Sequence, residues 1–182
     1  MKSELDLHLW LDKTLVQRQN QLKADFLDLF EQLGNSVTSE ELARFFSNSK
    51  GKKISKGNQL LGFPYLVLDL IRDFDLDKGC NIRFVSWFGH GLYCCVFLGK
   101  TQLIPDHLFV ENGFLLGRND LPWDLAAQVD RIQAGTTTPD YPQNQGEARL
   151  WIKEIVLLGD HENCLQILKD ELKKILQANP AE

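Results

Sequence analysis

Residues 81–98 read NIRFVSWFGHGLYCCVFL, with apolar side chains at odd and even positions alike around Gly89, His90 and Gly91. In a strand, successive side chains leave opposite faces of the sheet. Two strands of this composition, 81–88 and 92–98, closed into a hairpin by those three residues, therefore have two faces to bury. A single layer of helices covers one of them. The other needs a loop, another helix or a second subunit.

Helices for the first face are legible at both ends of the chain. Leu11, Leu15, Leu22, Phe26, Leu29 and Leu33 recur at helical spacing, with Ser3 as candidate N-cap and Gly34 as the stop. Thr38 and Glu41 have capping-box spacing, Val37 is placed to staple onto Leu42, and Leu42, Phe45 and Phe46 form the apolar side of a second helix that ends before Gly51. Near the C-terminus Asp160 caps a stripe of Leu165, Leu168, Leu172, Ile175 and Leu176. Glu162 sits near the positive end of that helix's dipole, and Lys173 and Lys174 near the negative end.

Between them the period falls toward two. Over 63–71, Leu66, Leu68 and Leu70 share one face while Val67, Asp69 and Ile71 share the other, with Pro64 marking an edge or a beginning. Asn112-Gly113, flanked by Leu108, Phe109 and Val110 and by Phe114, Leu115 and Leu116, predicts a second tight hairpin. A helix is expected over 122–133, opening after Asp120 with Pro122 in its first turn, then a loop over 135–146. Residues 148–158 fit either period, and a strand is favoured. The order of elements predicts an α+β fold of one domain, 1–182: an antiparallel sheet of four to five strands with N-terminal helices and a C-terminal helix packed on one face.

Charge narrows the partners. The formal net charge is −5, and an acidic chain repels a phosphate backbone, so nucleic acid is disfavoured. The basic cluster Lys50, Lys52, Lys53 and Lys56 reads as a solvated loop. No run reaches the length of a membrane helix and no secretory leader is evident, so the expected setting is cytoplasmic. Cys80, Cys94, Cys95 and Cys164 have no regular spacing and are expected as reduced, mostly buried thiols.

Motifs for chemistry are sparse. Asp73, Asp75, Asp77 and Gly79 begin like a calcium loop, but Lys78 stands where that loop needs glycine and Phe84 where it needs a bidentate glutamate. Cys94 and Cys95 are strand neighbours that point apart, so they cannot share a zinc ion. The sequence has no nucleophile elbow, no phosphate loop around Gly51, Lys52 and Lys53, and no dinucleotide fingerprint. Neither metal nor cofactor is indicated.

Two features remain. His90 lies at a hairpin tip, an accessible place for a proton-transfer residue. Asp69, Arg72 and Arg83 are charges set into apolar strands, near Tyr65 and Trp87. A half-buried Arg83 wants a carboxylate such as Asp69, either as a salt bridge that fixes register or as the polar wall of a pocket for a small anionic or planar ligand.

Ile54, Ser55, Lys56 and Gly57, then Gly62, Pro64, Tyr65, Leu68, Asp69 and Arg72, then Trp87, Phe88 and Gly89 form a pattern that resembles small bacterial hypothetical proteins of unknown function. The resemblance spans about residues 54–99, and this chain has Leu70 and Ile71 where those proteins tend to have Tyr-Pro. It implies a bacterial cytoplasmic domain and contributes no reaction. Two functions follow from the residues. The first is a non-enzymatic binding or interaction module using the sheet face away from the helices, toward a partner protein, a second copy or a small ligand. The second is a small hydrolase- or transferase-like enzyme with His90 as acid or base, supported by Asp69 and Arg83.

Overall fold

The computed structural model describes residues 5–117, 124–133 and 147–177. It is an α+β arrangement around one six-stranded antiparallel sheet in the order β1-β2-β3-β4-β6-β5, one strand more than expected. The strands are β1 (Lys53–Leu60), β2 (Phe63–Arg72), β3 (Cys80–Trp87), β4 (Gly91–Leu98), β5 (Leu115–Leu116) and β6 (Arg149–Glu154). The helices are α1 (Leu7–Leu11), α2 (Lys13–Asn35), α3 (Ser39–Phe45), α4 (Asp106–Glu111), α5 (Leu125–Gln133) and α6 (His161–Gln177).

The first four strands form a meander, and β3 and β4 pair without a break from Cys80↔Leu98 to Trp87↔Gly91. Both faces of this hairpin are buried, each by different elements. On one side Ile82, Phe84, Cys94 and Val96 pack with Leu29, Phe30 and Leu33 of α2, Leu42 and Phe45 of α3 and Leu165, Leu168 and Leu172 of α6. On the other, Trp87, Tyr93, Cys95 and Phe97 pack with Leu150 and Ile152 of β6 and with Ala126 and Val129 of α5. The second cover demanded by the sequence is thus a helix from the same chain.

Local chemistry accounts for the ends of the elements. Thr38 Oγ1 accepts from Glu41 N (3.1 Å) while the Glu41 carboxylate accepts from Thr38 N (2.7 Å), the expected capping box. Asp160 Oδ1 accepts from Asn163 N at the start of α6 (3.0 Å). The first helix is split: Asp6 caps α1 and Asp12 caps α2, because the Asp12 side chain competes with the helical backbone and accepts from Leu15 N. Ser3 lies outside the described residues, as do Asp120, Pro122 and the span 134–146.

Several expectations give way. Asn112-Gly113 closes no hairpin. Asn112 has φ −89°, whereas a type I′ turn needs positive φ at both positions; Gly113 (φ 77°) instead ends α4, with Gly113 N bonding Val110 O and Phe114 N bonding Phe109 O. Residues 108–111 are helical because Pro105 and Asp106 open a turn ahead of them, and Phe109 gains a stacked partner in Trp151, 5.3 Å between ring centroids. The basic cluster is only partly loop, since Lys53 and Lys56 belong to β1, the outer strand beside β2. Ile71 also changes sides. A register shift after Asp69 pairs Ile71 with Ile82, so Leu70 and Ile71 both enter the helix-side core. The ambiguous 148–158 stretch is strand as far as Glu154.

Candidate functional site

The face under α5 carries the charged residues that the sequence set among apolar strands. Asp69 and Arg83 are cross-strand partners, and Arg83 Nε and Nη2 each lie 3.0 Å from Asp69 Oδ1. Asn81, two residues before Arg83 and on the same face, adds a third donor to that oxygen at 3.0 Å. Its Nδ2 also donates to Ile71 O (2.8 Å), a carbonyl displaced by the register shift after Asp69. The bulge therefore leaves a backbone acceptor that only a side chain can reach, and Asn81 satisfies it. Asp69 is 5% exposed and Asn81 1%, so this cluster sits in the sheet rather than on its surface. The Arg83 guanidinium lies over the Phe74 ring, 5.2 Å from its centroid.

Beside the cluster, a cavity of about 200 Å³ opens between the sheet and α5. Arg83 and Asn81 give it a polar wall; Tyr65, Val67 and Val85 line the strands, and Leu125 of α5 and Leu150 of β6 close it from the other side. Burial pushes the Cys95 thiol in this wall up to about 12, the neighbouring Arg83 and Asp69 adding opposed and smaller effects. Cys95 is consequently a neutral apolar lining group, not a nucleophile.

Of the residues expected at a site, Tyr65 and Arg83 line this cavity and Asp69 holds Arg83 in place. Trp87 is the cross-strand partner of Tyr65, and its Nε1 donates to Leu60 O (3.1 Å), which fixes the cavity's β1 wall. Arg72 is elsewhere: its Nη2 donates to Lys50 O (3.1 Å) and its backbone N–H to Ser49 Oγ (3.1 Å), tying the end of β2 to the segment before β1. His90 is also separate. Its ring stacks on Trp87 (3.7 Å between centroids, 12°) and meets the edge of Phe63 at 4.9 Å. The neighbouring cavity that His90 lines is bounded by Phe26, Ser86, Phe88 and Ile155 among others, with no carboxylate among its described lining residues.

Asn81, Leu125 and Leu150 escaped the sequence reading. Asn81 was within reach of it, because period two from Arg83, Val85 and Trp87 places it on their face. Leu125 and Leu150 come from elements far along the chain, and no local pattern announces their approach.

The acidic turn Asp73–Gly79 folds on itself. Asp75 Oδ1 accepts from Asp77 N (2.9 Å) and Lys78 N (2.7 Å), and these backbone N–H groups hold its carboxyl below the ordinary value. No group of three or more potential ligands able to hold a metal occurs among the described residues. Nor is any described helix long and apolar enough to cross a membrane. Compared with known proteins, the chain matches no family model, no curated protein and no solved structure.

Proposed function

We propose that this chain is a binding module that takes a small planar molecule with a hydrogen-bond acceptor or anionic edge into the cavity between the sheet and α5. The observation that carries the reading is the position of Arg83, a charged group held by a buried carboxylate at the wall of a cavity otherwise lined mainly by apolar side chains. Such a constellation, a mostly apolar concavity with a few convergent polar groups, is the usual form of a small-molecule site. Tyr65 offers a ring for stacking and Arg83 the polar end, while Asn81, both of whose N–H groups go to Asp69 and Ile71 O, holds the wall in place. The volume is below the range common for drug-sized ligands, which limits the ligand to something small. His90 has no part in this reading, because the cavity it lines is a different one.

The test is a titration of isotope-labelled protein with small aromatic carboxylates and their uncharged analogues, following the methyl groups of Val67, Val85 and Leu150. Binding confined to those signals, and lost in Leu125→Trp, whose larger ring fills the space, supports the proposal. Absence of binding across the set, or binding that persists in Leu125→Trp, overturns it.

A further inference from the structure

Two surfaces on the helical side have no cover among the described residues, and they suit each other. The first is an arm at the N-terminus. α1 buries none of its residues, and Leu5, Leu7, Leu9, Trp10, Leu11 and Val16 are all between 46% and 79% exposed. A five-residue helix is marginal in water unless packing supports it. This one is nonetheless shaped by its own caps: Asp6 Oδ1 accepts from Leu9 N, and Asp12 Oδ1 accepts from Leu15 N, each at 2.9 Å. Within it Leu7, Trp10 and Leu11 stand three and four residues apart and so share a face. Six large exposed apolar side chains within residues 5–16 make a patch of the kind that marks an interface.

The second surface is a groove of about 630 Å³ between α3 and α6, just past the C-terminus of α2. Its floor is apolar, made by Val37, Phe45, Leu172 and Leu176. Its rim carries Arg44, Lys169 and Lys173. None of these three cations forms a salt bridge with a carboxylate among the described residues. Glu41, the acid that also lines the groove, accepts from the Thr38 backbone N–H at 2.7 Å and its hydroxyl at 2.9 Å and also feels the charge of Arg44, so the groove holds three cations against one carboxylate. On a chain of net charge −5 this is a local excess of positive charge around a greasy slot. The arm offers an apolar face bracketed by the carboxylates of Asp6 and Asp12, each also a helix cap, against the single ammonium of Lys13, so it carries a small excess of negative charge.

The arm cannot fill the groove of its own chain. The 23 residues of α2 separate them, a rigid rod of about 35 Å at 1.5 Å per residue. We infer that the arm of one copy docks in the α3–α6 groove of a second copy, with Trp10 as the apolar anchor and Asp6 and Asp12 facing the Arg44, Lys169 and Lys173 rim. Helix-in-groove recognition of this type needs an amphipathic helix and a slot of matching polarity. A two-fold arrangement would make the contact twice. The groove lies on the opposite side of the sheet from the proposed ligand cavity, so either idea can fail without the other.

The test uses three full-length chains in sedimentation velocity over a concentration series: wild type, an arm variant (Leu7→Glu with Trp10→Glu) and a groove variant (Arg44→Glu with Lys173→Glu). All four positions are exposed, and circular dichroism checks that each variant retains the fold. Wild type should dimerise, and each variant should associate at least about tenfold more weakly. Mixing the two variants should restore association, because the intact arm of the groove variant meets the intact groove of the arm variant. A monomeric wild type overturns the inference. So does a groove variant that dimerises like wild type while the arm variant does not, which would mean that arms pack on each other. A mixture that stays monomeric overturns it as well.

Discussion

Arg83 binds Asp69 through two nitrogens on one oxygen: Nε and Nη2 both lie 3.0 Å from Oδ1, across the β2–β3 ladder at the last paired position before the bulge. The pair sits where the register shifts, so breaking it loosens the element that decides which side Ile71 faces. Truncating one partner leaves the other partly buried and uncompensated, and Asp69→Ala should cost about 2–4 kcal/mol. Arg83→Ala should cost somewhat less, since Asn81 still serves the carboxylate. Urea unfolding of both single variants and the double variant measures the coupling, expected at about 1–3 kcal/mol. A coupling near zero would show that the pair does not hold the register.

Glu171 joins the sheet to α6 through a second charged contact. Its carboxylate meets Lys153 Nζ of β6 at 2.6 Å and Lys174 Nζ at 2.7 Å, while Lys153 also donates to Asn112 O (2.9 Å). Burial pushes the carboxyl upward, but the bonds and charges of the two lysines outweigh it, and the group is held below its ordinary 4.5. A carboxyl lowered by folding contributes stability that is fully present above the ordinary value and is lost as pH falls through the folded-state value. Glu171→Gln should therefore destabilise the chain by about 1–3 kcal/mol at neutral pH. The gap should close in acid, which thermal melts between pH 7 and pH 3 would show.

The thiols should divide sharply. Burial pushes Cys80 and Cys95 up to about 12 and Cys94 well above its ordinary value. Cys164 is only half-buried. With a chromogenic disulfide at pH 8, Cys164 should react in the native state and the other three at least about a hundredfold more slowly. Their reaction should accelerate with denaturant, as expected for access by unfolding. Fast labelling of Cys95 would contradict the buried second face, and fast labelling of Cys94 the helix-side core.

Gly57 and Tyr65 are cross-strand partners, and a Cβ at Gly57 would come within 2.5 Å of Tyr65 Cε1, Cζ and Oη. The ring thus lies flat over a position that has no side chain. Gly57→Ala should swing Tyr65 off the sheet at a cost of about 1–3 kcal/mol, altering the cavity wall while leaving the helix-side core intact. Ring resonances of Tyr65 and a urea titration would report both effects.

Much of this was legible because the signals were local. The capping box at Thr38 and Glu41, the stripe of α6 and the two-sided greasiness of β3 and β4 each depend on residues a few positions apart. The greasiness even demanded a second cover, though it could not say that α5 supplies it. The failures share a cause: a local motif has more than one tertiary use. Asn112-Gly113 suits a hairpin or a helix end, and Pro105 and Asp106 decided for the helix. The lysines before β2 look like solvated loop, yet Ser55 pairs with Val67 and Lys56 with Leu66. At the site, Asp69 with Arg83 and Tyr65 with Trp87 were readable from strand period, whereas Arg72, at the end of β2, bonds Lys50 and Ser49 of a segment that strand period does not place beside it.

The outer strands set a limit on how this molecule can aggregate. At one border β1 displays Lys53 and Lys56 and loses register between Gly57 and Leu60; at the other, β5 is two residues long. Charged, irregular or truncated borders are poor templates for a neighbouring strand. Among the described residues, amyloid-like stacking through the sheet is thereby discouraged at both flanks.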